Sequence, residues 1–162
     1  DALVPTGRRD GPAYALDANQ CISYWNIELK GSLPESSRPL MGEQLFGCDI
    51  CQDVCPWNRR AAVTEAEEFQ PRNALPELKD VASLSLEDFN RRFGNTPIER
   101  SRYRGFLRNV AVAMGNSGDE QYLKPLDRMA SSSDPAIAEH ALWAIDALKK
   151  RNLGRAVPKA VR

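Results

Sequence analysis

Four cysteines, all in the first third of the chain, constrain this sequence more than anything else in it: Cys21, Cys48, Cys51 and Cys55. Three fall in one run, Cys48-Asp49-Ile50-Cys51-Gln52-Asp53-Val54-Cys55, followed at once by Pro56. Disulfides are a poor reading of it. No export signal is visible, and bonds among cysteines this close would close very small, strained loops. Zinc is the stronger alternative, because C-x2-C is an ordinary half-site and four thiolates complete a tetrahedron. Zinc sites, however, usually pair two C-x2-C knuckles, whereas the second spacing here is C-x3-C with a trailing proline.

That C-x2-C-x3-C-P ending matches the tail of the bacterial-ferredoxin run C-x2-C-x2-C-x3-C-P, whose thiolates ligate iron–sulfur clusters. Closely spaced thiolates wrap one cluster, and the last, turned away by the proline, reaches a second. Iron–sulfur is the favoured reading, with zinc kept open. Two clusters need eight thiolates and the chain has 4 cysteines. The other ligands are therefore expected upstream of Asp1.

The residues around these cysteines resemble the epoxyqueuosine reductase family. The resemblance is carried by Leu16-Asp17-Ala18-Asn19-Gln20-Cys21-Ile22-Ser23-Tyr24-Trp25-Asn26-Ile27-Glu28-Leu29-Lys30-Gly31 and by Gly47-Cys48-Asp49-Ile50-Cys51-Gln52-Asp53-Val54-Cys55-Pro56-Trp57-Asn58. It continues through Arg102-Tyr103-Arg104-Gly105-Phe106-Leu107-Arg108-Asn109-Val110-Ala111-Val112-Ala113-Met114-Gly115-Asn116. It implies a cobalamin-dependent enzyme with two [4Fe–4S] clusters that reduces epoxyqueuosine in a tRNA anticodon to queuosine. By position, Cys21, Cys48 and Cys51 would ligate one cluster and Cys55 the other. Ser23, Lys30 and Asp49 would lie at the cobalamin edge. No catalytic residue is expected in this chain; the catalytic acid is expected upstream, and the chain alone is expected to be inactive. The segment Pro5 to Pro12 looks longer than the family's usual link into Leu16.

The implied fold is mainly α: the C-terminal half of a two-cluster ferredoxin-like module, followed by a HEAT-like helical repeat domain. Residues 1–60 are turn-rich and carry the cysteines, 61–80 read as a connector with Pro71 and Pro76, and 81–162 as helical. Ser85 to Asp88 forms a capping-box-like start to a helix ending near Gly94. Phe106, Val110, Ala113 and Met114 recur at the spacing of one apolar helix stripe. Gly115 or Gly118 suits its C-cap. A second helix is expected over 120–129, although Pro125 lies inside it. Asp134-Pro135 caps a third, running to about Lys150. The last two helices read as one HEAT-type repeat.

The chain balances 22 Lys+Arg against 22 Asp+Glu, so it is no extreme polyanion binder as a whole. The distribution is uneven. Arg91, Arg92, Arg100, Arg102, Arg104 and Arg108 crowd a window whose single acid is Glu99. Guanidinium forks fit phosphate oxygens. Combined with the resemblance, Arg100, Arg102, Arg104, Arg108 and Asn109 become candidates for gripping a tRNA anticodon stem-loop. The tail from Lys149 to Arg162 is basic, and its extreme end is expected to be disordered. His140, the only histidine, reads as structural on its helix face. No Ser/His/Asp set, P-loop or dinucleotide fingerprint occurs. No apolar run approaches the ~18 residues of a membrane span. The resemblance implies a cytoplasmic monomer supplied by an unidentified electron donor. The alternatives are a reductive-dehalogenase-type cobalamin and iron–sulfur enzyme, or a ferredoxin-like electron-transfer module fused to a helical adaptor.

Overall fold

The computed structural model describes residues 2–70 and 77–156, with side chains through 151. The expectations for the extreme tail and for Pro71 and Pro76 lie outside these residues. The chain opens with an exposed antiparallel hairpin, β1 (Leu3–Pro5) and β2 (Tyr14–Leu16), pairing Leu3 with Leu16 and Pro5 with Tyr14. The Pro5 to Pro12 stretch forms its return, where Thr6 Oγ1 donates to the Pro12 carbonyl at 2.6 Å.

Single turns follow, as the dense turn residues of this region dictate. There are 3-10 turns at Ala18–Gln20, Glu35–Ser37, Pro39–Met41, Asn58–Arg60 and Glu67–Phe69, a wider π turn at Tyr24–Glu28, and the one-turn helix α1 (Ile50–Asp53). Asp17 starts the first by accepting from the Asn19 N–H at 3.0 Å. Helices dominate the remainder: α2 (Leu78–Val81), α3 (Leu86–Phe93), α4 (Arg102–Ser117), α5 (Leu123–Ala130) and α6 (Pro135–Ala156).

The helix boundaries follow local chemistry. Ser85 Oγ accepts from the Asp88 N–H at 3.1 Å and caps α3. Asp134 accepts from the Ala136 and Ile137 N–H groups at 3.0 and 3.4 Å, with Pro135 at the first helical position of α6. Gly118, at φ 74, ends α4 in the left-handed conformation. Gly115 has a different task. A Cβ there would lie 2.8 Å from the Ala144 backbone, so this glycine is where α4 and α6 cross closely. Pro125 interrupts nothing, because a 3-10 turn at Glu120–Tyr122 precedes α5 and puts the proline in the first turn of α5. There its missing N–H was unpaired anyway.

The single stripe expected on α4 is corrected by the structure. Every residue from Gly105 to Gly115 is buried. Phe106, Leu107, Val110, Ala111 and Met114 join a core with Phe89, Phe93, Leu126, Ile137 and Leu148. Val112 packs with Trp25, Leu33 and Met41 of the cysteine-bearing segment. A central helix buries more than one face, so its apolar residues cannot keep to one stripe. Among the described residues, no helix is long and apolar enough to cross a membrane.

Candidate iron–sulfur site

Each cysteine sits on a short, backbone-tied turn. Cys21 closes the Ala18–Gln20 turn, and its carbonyl accepts from the Trp25 N–H at 3.1 Å. Cys48 directly follows Gly47, whose φ of 74 bends the chain there. Ser23 Oγ lies 3.5 Å from the Cys48 carbonyl, a long contact that sets the two cysteine turns side by side. Cys51 is exposed on α1, and Cys55, half-buried, accepts from the Asn58 N–H at 3.1 Å. All four are free thiols. Among the described residues, no three His, Cys, Asp or Glu side chains are gathered to hold a metal ion. An accessible, all-thiol donor set is nevertheless the chemistry that suits soft metals and iron–sulfur clusters.

The two cysteine turns are clasped by buried polar groups that the sequence reading missed. Asn26, fully buried, donates through Nδ2 to the Gly47 carbonyl at 2.8 Å and accepts the Gly47 N–H through Oδ1 at 3.0 Å. Asn109 on α4 donates to the Asn26 carbonyl at 2.7 Å and the Leu45 carbonyl at 2.9 Å. Arg108 beside it donates to the carbonyls of Trp25, Leu29 and Gly31 and to Asn109 Oδ1. Burial pulls its guanidinium down to about 10, so it is still charged at neutral pH. Asn116, further along α4, donates to the carbonyls of Arg38 and Gly42, both at 2.8 Å. No sequence signal distinguishes Asn26, but a charged residue inside the apolar run Phe106–Ala113 could have flagged Arg108 as buried.

Arg108 and Asn109 are therefore corrected as tRNA contacts. Their exposures are 1% and 0%, and their donors are committed to backbone carbonyls up to 83 residues away in sequence. The remaining arginines lie at the surface. Arg100 pairs with Glu28 and Arg104 with Asp134. Arg102 is exposed at φ 58, a backbone conformation rare for a residue with a side chain, and has no ion pair among the described residues. Arg91 pairs with Asp88, and Arg92 lies over the Phe93 ring.

The three cofactor candidates divide. Ser23 and Asp49 flank Cys48, and no cap bond from the Asp49 side chain is made to α1. Lys30 is tied elsewhere, donating to the carbonyls of Ile27 at 3.1 Å and Arg100 at 2.7 Å. Trp25 is core, with its indole N–H on the Asn19 carbonyl at 2.6 Å, whereas Trp57, next to the last cysteine turn, is 90% exposed. His140 is fully buried. Its Nδ1–H donates to the Ala136 carbonyl at 2.7 Å and its Nε2 accepts the Leu33 N–H at 3.0 Å. That arrangement needs the neutral ring, and burial pushes its pKa down to about 4. Next to it, Glu139 accepts from Ser32 Oγ and pairs with buried Arg38, so its carboxyl is held below the usual range.

The segment of short turns that carries the four cysteines is clasped onto helices, and a family model gives its class. Residues 5–58 match the family model of a 4Fe-4S double cluster binding domain. The chain is 43% identical over 154 residues to the epoxyqueuosine reductase of Escherichia coli, covering 93% of this chain and 40% of that protein. It is 42% identical over 146 residues to that of Pseudomonas aeruginosa, covering 88% of this chain and 40% of the relative. A crystal structure of epoxyqueuosine reductase with an epoxyqueuosine-modified tRNA-Tyr stem loop superposes with a TM-score of 0.75 at 30% identity. That match covers 91% of this chain and 41% of the other. The enzyme from Bacillus subtilis gives 0.76 at 30% identity, covering 90% and 41%. Along this stretch the chain is similar to epoxyqueuosine reductases, and residues 5–58 to 4Fe-4S double cluster binding domains. It spans about two fifths of the length of the curated relatives it matches.

Proposed function

We propose that this chain is the C-terminal portion of an enzyme that reduces epoxyqueuosine to queuosine at the wobble position of tRNA, the last step of queuosine formation. One observation carries the reading: the Cys48–Cys55 run and Cys21 fall inside the double-cluster match, on turns clasped to a helical body similar to the reductase bound to its tRNA stem loop. Cys21, Cys48 and Cys51 hold one [4Fe–4S] cluster, and Cys55 gives one ligand to a second. When bound, the clusters supply one-electron transfer and cobalamin a strongly reducing centre for the epoxide. The chain's own share is binding and placement. Ser23 and Asp49 border the cobalamin edge beside Cys48. Lys30 reaches it only by giving up its two carbonyl partners. Arg100, Arg102 and Arg104 hold the phosphates of the anticodon stem-loop. Such contacts position the backbone and leave base recognition to the reductase pocket.

The finer architecture belongs to the same reading. Residues 1–60 form the second half of a ferredoxin-like module, 61–80 a connector, and 81–162 a HEAT-like domain, in which α5 and α6 make the repeat packed on α4. The enzyme works as a cytoplasmic monomer fed by an external electron donor, and the chain alone is inactive. The test is anaerobic purification of the full-length enzyme, with iron, sulfide, zinc and cobalt quantified before assay on epoxyqueuosine tRNA. About eight iron and eight sulfide per chain, with cobalamin binding and turnover, is the expected result. One zinc, no sulfide and no cobalamin affinity would overturn the proposal.

A further inference from the structure

Three polar side chains are buried where α4 meets the cysteine segment: Asn26, Arg108 and Asn109, all at most 1% exposed. Among the described residues Arg108 has no carboxylate partner; its charge is met by the carbonyls of Trp25, Leu29 and Gly31 and by Asn109 Oδ1. Burying a cation and two amides this way is a costly route to stability, because well-packed apolar residues would hold the same interface at least as firmly. What polar groups add is a fixed register, since each bond is satisfied in one arrangement only. Here all of the backbone partners are on the cysteine-bearing segment. Asn26, five residues after Cys21, makes two bonds to Gly47, the residue before Cys48. Asn109 ties the Asn26 carbonyl to the Leu45 carbonyl, and so bridges the same two stretches from behind. Among the described residues, no regular strand or long helix joins Cys21 to Cys48, so side-chain bonds must set their spacing.

We propose that Asn26 and Asn109, backed by Arg108, are positioning residues for the iron–sulfur site: they lock the Cys21 turn against the Cys48 loop so that both thiolates serve one cluster. This rests on the reading that Cys21, Cys48 and Cys51 share a cluster. Groups that orient metal ligands commonly matter almost as much as the ligands, because ligation tolerates only small displacements.

The experiment compares the full-length enzyme with Asn26→Asp and Asn109→Ser after anaerobic reconstitution. Asn26→Asp keeps the side-chain shape but replaces the donor facing the Gly47 carbonyl with an acceptor. Iron and sulfide per chain, the electron paramagnetic resonance of the reduced protein and the cluster potentials are read alongside thermal unfolding. A third variant, Gly115→Ala, perturbs the α4–α6 crossing without removing any bond of Asn26, Arg108 or Asn109 and controls for lost stability. The expected result is a twofold drop in iron and sulfide, from about eight to about four, in both clasp variants, with Gly115→Ala retaining full content. Full iron with unchanged resonance and potentials in both clasp variants would overturn the positioning role, as would an equal loss in Gly115→Ala. If Asn26→Asp does not fold, Asn109→Ser decides, since it removes only the two carbonyl bonds and the Arg108 contact. Unaltered protein that takes up no sulfide refutes the shared-cluster reading itself, a separate outcome visible before any variant is compared.

Discussion

At the scale of the residue, His140 has the most decisive chemistry outside the cysteines. Its ring donates to Ala136 and accepts from Leu33, and a second ring proton would clash with the Leu33 N–H. Burial opposes its charging most, and the guanidiniums of Arg38 and Arg108 add to that; together they outweigh the Ala136 carbonyl and Glu139, which favour the charged ring. Because the folded pKa of about 4 lies below that of the unfolded chain, the unfolded state binds the extra proton first. His140 therefore contributes its full share of stability above about pH 6.5 and loses it progressively down to about pH 4, by roughly 3 kcal/mol at most. Urea unfolding midpoints of the protein and His140→Gln, measured from pH 7.5 to 4, test this. The variant should be less stable at pH 7 but have a flatter profile over that window. Parallel profiles would refute the assignment.

Elements are governed by their crossings as much as by their ends. Ser85, Asp134 and Gly118 act within a few residues, so the starts of α3 and α6 and the end of α4 are written locally. Gly115 is different. In Gly115→Ala the new methyl would meet Ala144 at 2.8 Å and Trp143 at 3.0 Å, and backbone cannot yield as a flexible side chain does. The better helix propensity of alanine favours the substitution by about 1 kcal/mol. Overpacking at a close crossing costs about 1–3 kcal/mol, so net destabilisation is expected. A higher melting temperature for Gly115→Ala would refute the close contact.

Across the whole molecule, α4 joins two bodies of side chains: the aromatic core of Phe89, Phe93 and Phe106, and the cluster of Trp25, Leu33 and Met41. Lys30 and Arg100, linked through the Arg100 carbonyl and the Glu28 ion pair, make a further tie between the cysteine segment and the basic window. That tie changes the ranking of the arginines for a phosphate ligand. Arg100 and Arg104 must release carboxylates to reach one, whereas Arg102 is unpaired among the described residues. In the full-length enzyme, Arg102→Ala should weaken binding of the anticodon stem-loop more than Arg100→Ala does. It should also reduce the slope of log affinity against log salt by about 1. Equal affinity and an unchanged slope in Arg102→Ala would remove this residue from the interface.

Much of the helical body and the chemistry of the cysteines could be read without a structure. Thiolate spacing and helix caps depend on neighbours within a turn or two, so the chain carries them in its local order; the single stripe expected on α4 does not hold, because Gly105 to Gly115 are all buried. Pro125 belongs there too in retrospect, since only the start of α5 was misplaced. What the local order does not contain is which side of α4 meets what. Arg108 and Asn109 look like surface residues in a basic window. They become buried because carbonyls 64 to 83 residues away need donors. Asn26 has no local mark at all, because its partner is Gly47, 21 residues on. The sequence by itself determined the cysteine spacing and the local caps that start α3 and α6 and end α4. Only the tertiary structure decided which polar groups face water and which hold the cysteine turns together, because burial and long-range hydrogen bonding exist only once distant segments meet.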